Sequence, residues 1–113
     1  MKLKEIEKIG EEKLKELINS KENFVLYVRS EKDSSKIKEI FDVDIVFPEL
    51  ANAFGDKVSF FWCDIDEVKV LVRDLGIYFA PMVVLFKEGS ILKKLEGIKS
   101  WAEYTQAVGE LIC

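Results

Sequence analysis

Three near-continuous apolar runs constrain this chain more tightly than anything else in it: Phe24-Val25-Leu26-Tyr27-Val28, the stretch Val58 to Cys63, and Met82-Val83-Val84-Leu85-Phe86. A strand without polar alternation is covered on both faces, so these runs predict interior strands of a layered sheet. The segments between them carry helical spacing. From Glu11, the positions Leu14, Leu17 and Ile18 make one apolar face, with acids early. Leu50, Ala53 and Phe54 make a second, and Val68, Leu71, Val72 and Leu75 a third. Trp101 to Ile112 is a final amphipathic helix carrying Trp101, Tyr104, Val108 and Leu111. The predicted order is βαβαβαββα, an α/β fold with a mixed central sheet and helices on both faces.

The punctuation refines this order. Leu3 to Ile9 alternates weakly and reads as an edge strand ended by Gly10, and Asn19 to Asn23 is a turn. Arg29 to Lys36 is polar, with Asp33 or Ser34 able to cap a helix from Ser35 to about Ile40. A second apolar stretch around Ile45 leads into a helix at Phe47 to Phe54, closed by Gly55. Pro48 belongs in a first turn or at a kink, because it lacks an N–H donor. Glu67 to Leu75 is helical and ends at Gly76. Lys87-Glu88-Gly89-Ser90 is a hairpin turn, and Ile91 to Leu95 is the returning strand.

At 113 residues the chain is read as one domain, 1–113, long enough to bury a core without disulfides. Its net charge of -4 offers no basic face, which argues against nucleic acid and favours a basic partner. Cys63 and Cys113 are the two cysteines and there is no histidine, so neither a metal site nor a cofactor is expected. The two thiols form no CxxC and no disulfide framework, as suits a reducing cytoplasm. The N-terminal MKLKEIEKIGEEKLKEL lacks an apolar run and reads neither as a signal peptide nor as a membrane anchor. The abundance of Lys and Glu hints at a heat-loving source.

The second half has a familiar shape. Cys63-Asp64-Ile65-Asp66, a helix, then Gly76-Ile77-Tyr78-Phe79-Ala80-Pro81 and the strand ending in Phe86-Lys87-Glu88-Gly89 resemble a thioredoxin, as does Gly97 after the last strand. The resemblance implies a thioredoxin-like fold and a cis Ala80-Pro81 bond that aims the backbone of Ala80 at an extended peptide. It also exposes departures. No cysteine occurs from Arg29 to Phe47. With Pro48 as the counterpart of the thioredoxin helix proline, Ile40 and Val43 occupy the two cysteine positions. The buried acid of the preceding strand falls at Leu26 and its lysine companion at Trp62. Dithiol exchange needs a nucleophilic and a resolving thiol within bonding distance, and neither is here.

A narrower match is carried by Glu49-Leu50-Phe54, Asp64-Ile65-Asp66 and Gly76 to Pro81. Above all it rests on Gly97-Ile98-Lys99-Ser100-Trp101-Ala102-Glu103. On these residues the chain is similar to the HyaE/HupG family of hydrogenase expression proteins, thioredoxin-like and without CxxC. The resemblance implies a cytoplasmic chaperone, not an enzyme, for the small subunit of a membrane-bound nickel–iron hydrogenase. The implied target is the twin-arginine signal peptide of the small-subunit precursor.

Arginine pairs with carboxylates in a bidentate fashion, so a receptor for such a peptide should set acids beside exposed apolar groups. The expected groove has Asp42 and Asp44 reading basic residues. Phe41, Phe47 and Met82 take apolar ones, and Phe79, Ala80 and Pro81 lie across from them. Asp42 and Asp44 read equally as ordinary loop acids, and Phe41 and Phe47 as core. Cys63 is expected buried and inert, Cys113 exposed, and Trp101 a packing anchor. Asp64, Asp66 and Glu67 are expected to be solvated or to cap a helix rather than to hold a cation. The competing functions are a general thioredoxin-like adaptor and a one-thiol oxidoreductase using Cys63 or Cys113. An apolar groove could also support a homodimer.

Overall fold

The computed structural model describes residues 1–113. A short 3-10 turn at Leu3–Glu5 leads to β1 (Glu7–Lys8), then α1 (Glu11–Asn19), β2 (Phe24–Arg29) and α2 (Lys38–Phe54). They are followed by β3 (Ser59–Asp64), a 3-10 turn at Ile65–Glu67, α3 (Lys69–Asp74), β4 (Met82–Lys87), β5 (Ser90–Glu96) and α4 (Trp101–Ile112). The expected order of strands and helices is therefore the observed one. The sheet runs β1-β3-β2-β4-β5, with β1 and β2 parallel to β3, β4 antiparallel to β2, and β5 antiparallel to β4.

The unbroken apolar runs are explained by two cores, one on each face of the sheet. Val25, Tyr27, Val83 and Leu85 point toward α2 and α4, joining Val43, Phe47, Leu50 and Tyr104. Their strand neighbours Phe24, Leu26, Val28, Met82, Val84 and Phe86 point the other way, joining Leu14, Leu17, Val72 and Ile77. Alternation along a strand sends successive side chains to opposite faces, so covering both faces removes the polar positions.

Two expectations are corrected. The strand over Leu3 to Ile9 shrinks to Glu7–Lys8, because Leu3–Glu5 is wound into a 3-10 turn. More important, the two short helices expected around Ile45 are one 17-residue helix with Pro48 inside it. Pro48 has no N–H to return to the carbonyl of Asp44, a local cost. Ile40, Val43, Phe47, Leu50 and Ala51 nevertheless share one buried stripe. Each large apolar side chain so buried contributes about 1.5–3 kcal/mol, which outweighs the missing bond. Neither Asp33 nor Ser34 caps this helix; Ile37 precedes it.

Candidate functional site

Strands β2 and β3 are parallel neighbours, but β2 feeds α2 on one face and β3 feeds α3 on the other. A crevice opens at the carboxyl ends of two such strands, the usual ligand position in α/β sheets. Val28 pairs with Met82, so the start of β4 and the segment before it lie at this same end. The crevice holds a cavity of about 260 Å³. Ser30 and Asp33 reach it from the loop after β2, Ile65 and Asp66 from the turn after β3, and Lys69 and Arg73 from α3. Tyr78, Phe79 and Ala80 close the remaining side, and Val72 and Ile77, both fully buried, supply apolar lining.

The Ala80-Pro81 bond is cis. Tyr78, Phe79 and Ala80 form no backbone hydrogen bond, whereas Pro81 accepts from the Gly97 N–H at 2.9 Å. Three consecutive residues thus present free N–H and C=O groups beside the cavity. The rings flanking them are open as well, Tyr78 67% and Phe79 50% exposed.

The position of the redox centre is filled differently. Ile40 and Val43 are buried in the core. The register sets Tyr27, not Leu26, opposite Trp62. Leu26 belongs to the core on the far face. The Tyr27 hydroxyl donates to Asp44 Oδ1 at 2.7 Å and lies 3.2 Å from the Ile40 carbonyl. Arg29 grips Asp44 in a bidentate pair, Nε to Oδ1 at 2.9 Å and Nη2 to Oδ2 at 3.0 Å. Its Nη1 lies 2.9 Å from Glu31. The Trp62 ring is flanked by Arg29 at 5.6 Å and Lys8 at 5.3 Å, a cation–π arrangement on an indole. Burial pushes the Tyr27 hydroxyl far above its usual range, helped by the adjacent carboxylate of Asp44. Burial works against the charge of Arg29, but its bonds to Asp44 and Glu31 override it and hold the guanidinium charged.

The expected site residues therefore separate. Phe41, 60% exposed, stands on α2 one turn before the equally open Ile45, and Asp42 beside it is half-buried without an ion pair. Phe79 and Ala80 lie together at the crevice, whereas Pro81 beside them is buried and does not line it. Asp44 is already held by Arg29 and Tyr27, so it is not a free reader of basic residues. Phe47 is buried between Tyr27 and Phe60, with ring centroids at 5.2 and 5.7 Å. Met82 is buried beneath the sheet. Neither Phe47 nor Met82 offers surface to a ligand, because both are inward positions, Phe47 on α2 and Met82 on β4. Trp101, expected as an anchor, is 47% exposed at the first turn of α4. That helix start is held by a reciprocal Ser100–Glu103 capping box and does not need the ring.

Cys63 is fully buried and Cys113 exposed. Burial first, then Asp64 and Glu67, pushes the Cys63 thiol up to about 12. Asp64 caps the turn after β3, accepting the Asp66 N–H at 3.1 Å. The cavity residues Asp33, Lys69 and Arg73 were not singled out as ligand contacts from sequence. The charged spacing at Asp66, Lys69 and Arg73 was the available signal. No helix is long and apolar enough to cross a membrane.

Comparison with known proteins agrees with this geometry. The family of the hydrogenase-1 expression protein HyaE matches residues 1–104. An uncharacterized protein of Aquifex aeolicus (strain VF5) is 49% identical over 112 residues, 98% of this chain and 95% of that one. Among solved structures, the thioredoxin of Malassezia sympodialis (Mala s 13) superposes with a TM-score of 0.80 at 20% identity, covering 96% of this chain and 91% of that one. Oxidized mitochondrial thioredoxin 3 of Saccharomyces cerevisiae gives 0.72 at 21% identity, covering 96% and 95%. At these identities the likeness establishes the thioredoxin fold.

Proposed function

The chain belongs to the HyaE family of hydrogenase expression proteins, and from that premise we propose that it is a redox-inactive, cytoplasmic chaperone for a nickel–iron hydrogenase. Its client is the precursor of the small subunit, held by the twin-arginine signal peptide. The observation that carries this reading is the free backbone of Tyr78, Phe79 and Ala80 at the crevice, a segment that also exposes two rings, those of Tyr78 and Phe79. An extended peptide can add to such a segment as a strand, its main chain supplying affinity and its side chains specificity. Phe41, Asp42, Phe79 and Ala80 remain the contact set, with Ile45 extending the apolar surface of α2. The dithiol positions are taken by Ile40 and Val43, which favours holding over thiol chemistry.

The test is capture of the small-subunit precursor, followed by calorimetry with its signal peptide and a twin-lysine version. Micromolar binding that weakens on loss of the arginines is expected. Absence of binding to both peptide and intact precursor sinks the reading. The one-thiol oxidoreductase is disfavoured by the buried, hard-to-ionise Cys63, because the thiolate is the nucleophile.

A further inference from the structure

The cavity beside Ala80 is bordered by four charged side chains of both signs, Asp33, Asp66, Lys69 and Arg73. None of the four forms an ion pair, with each other or with any other residue. Their side chains make no hydrogen bonds either; Asp33 engages only its backbone, its N–H on Ser30 Oγ at 3.2 Å. Glu67, between Asp66 and Lys69 in sequence, turns away to Lys8 at 3.2 Å. Lys69 and Arg73 are moreover like charges four residues apart on one helix, an arrangement that disfavours the helix carrying it. Two cations and two carboxylates that border one concavity, none engaged by another side chain, are complementary to a ligand bearing both signs.

We propose that this cavity selects a mixed-charge segment of an extended peptide, with one basic and one acidic side chain two residues apart. The proposal rests on the peptide-cradle reading of Tyr78 to Ala80. A strand laid along that free backbone sends residues i and i+2 to the same side, about 6–7 Å apart, toward the cavity. There Asp33 and Asp66 receive the basic group, while Lys69 and Arg73 receive the acid. The apolar lining of Val72 and Ile77 lowers the local dielectric and strengthens both pairings. Two like charges in the peptide would set one of them against a matching wall, so discrimination is by repulsion as much as by attraction.

The experiment uses the full chain and fluorescently labelled nonapeptides identical except at positions 4 and 6: Arg-x-Glu, Glu-x-Arg, Arg-x-Arg, Glu-x-Glu and Gln-x-Gln. One of the two mixed orders is expected to bind at least tenfold tighter than every other pattern. The double variant Lys69→Gln/Arg73→Gln should abolish the preference for the acid. Asp33→Asn/Asp66→Asn should abolish that for the base, with far-UV circular dichroism unchanged because these side chains make no hydrogen bonds or ion pairs within the fold. Equal binding of all five peptides, or a preference that survives both folded variants, overturns the proposal. The small-subunit signal peptide in the same assay keeps the two readings apart. If it binds while the five peptides bind alike, the mixed-charge proposal falls and the chaperone reading stands. If nothing binds, both fall.

Discussion

Two groups of charged residues, both drawing on the loop after β2, treat charge in opposite ways. Around Arg29 every polar group is spoken for: Asp44 takes two guanidinium bonds and the Tyr27 hydroxyl, and Glu31 takes a third guanidinium nitrogen. Across the crevice, Asp33, Asp66, Lys69 and Arg73 surround a cavity without meeting a partner. The closed cluster ties the end of β2 to α2 and belongs to the scaffold. The open one lies beside the free backbone at Ala80. Saturation marks structure and its absence marks availability, and the same loop supplies residues to both.

That contrast breaks most visibly at Asp44. Asp44→Ala leaves Arg29, only 5% exposed, with Glu31 alone. Removing one partner of a buried pair costs about 3–5 kcal/mol, to be read from urea denaturation midpoints. A loss under about 1 kcal/mol would mean that the cluster is not structural. The Cys63 thiol gives a smaller, pH-dependent effect. Its folded pKa lies above the unfolded one, so the folded state holds the proton more tightly. The stability this provides is complete below about pH 9 and declines as pH rises toward 12. Cys63→Ala should lose that decline while keeping the one that Tyr27 contributes at higher pH, measured as unfolding midpoints from pH 8 to 11. Smallest in stability is Phe79→Ser, expected to shift it by no more than about 0.5 kcal/mol because the ring is half-exposed. The same substitution should weaken signal-peptide binding severalfold, and unchanged affinity would remove Phe79 from the cradle.

The sequence was a good guide to the sheet and a poor guide to the site. Strands β2, β3 and β4 were legible because covering both faces leaves an uninterrupted apolar run. Helix α4 was legible because its apolar face repeats at Tyr104, Val108 and Leu111. Phe41, Phe79 and Ala80 were found at the surface, as expected. Phe47 and Met82 were misread because an apolar residue beside a motif looks the same in sequence whether it faces ligand or core. Asp44 was misread because its partners lie 15 and 17 residues away, across the sheet–helix interface. Asp33 carried no signal, since only the crevice brings the loop after β2 against α3.

Apolar periodicity, proline and the missing cysteines are local properties of the chain, and they alone determined the α/β order, the thioredoxin resemblance and the loss of dithiol chemistry. Which charges pair and which stay free was decided by the tertiary structure. An ion pair depends on a few ångströms of separation between elements, and one register step exchanges Leu26 for Tyr27 opposite Trp62. Patterning sets which face of a strand is buried, but only packing sets what lies across from it.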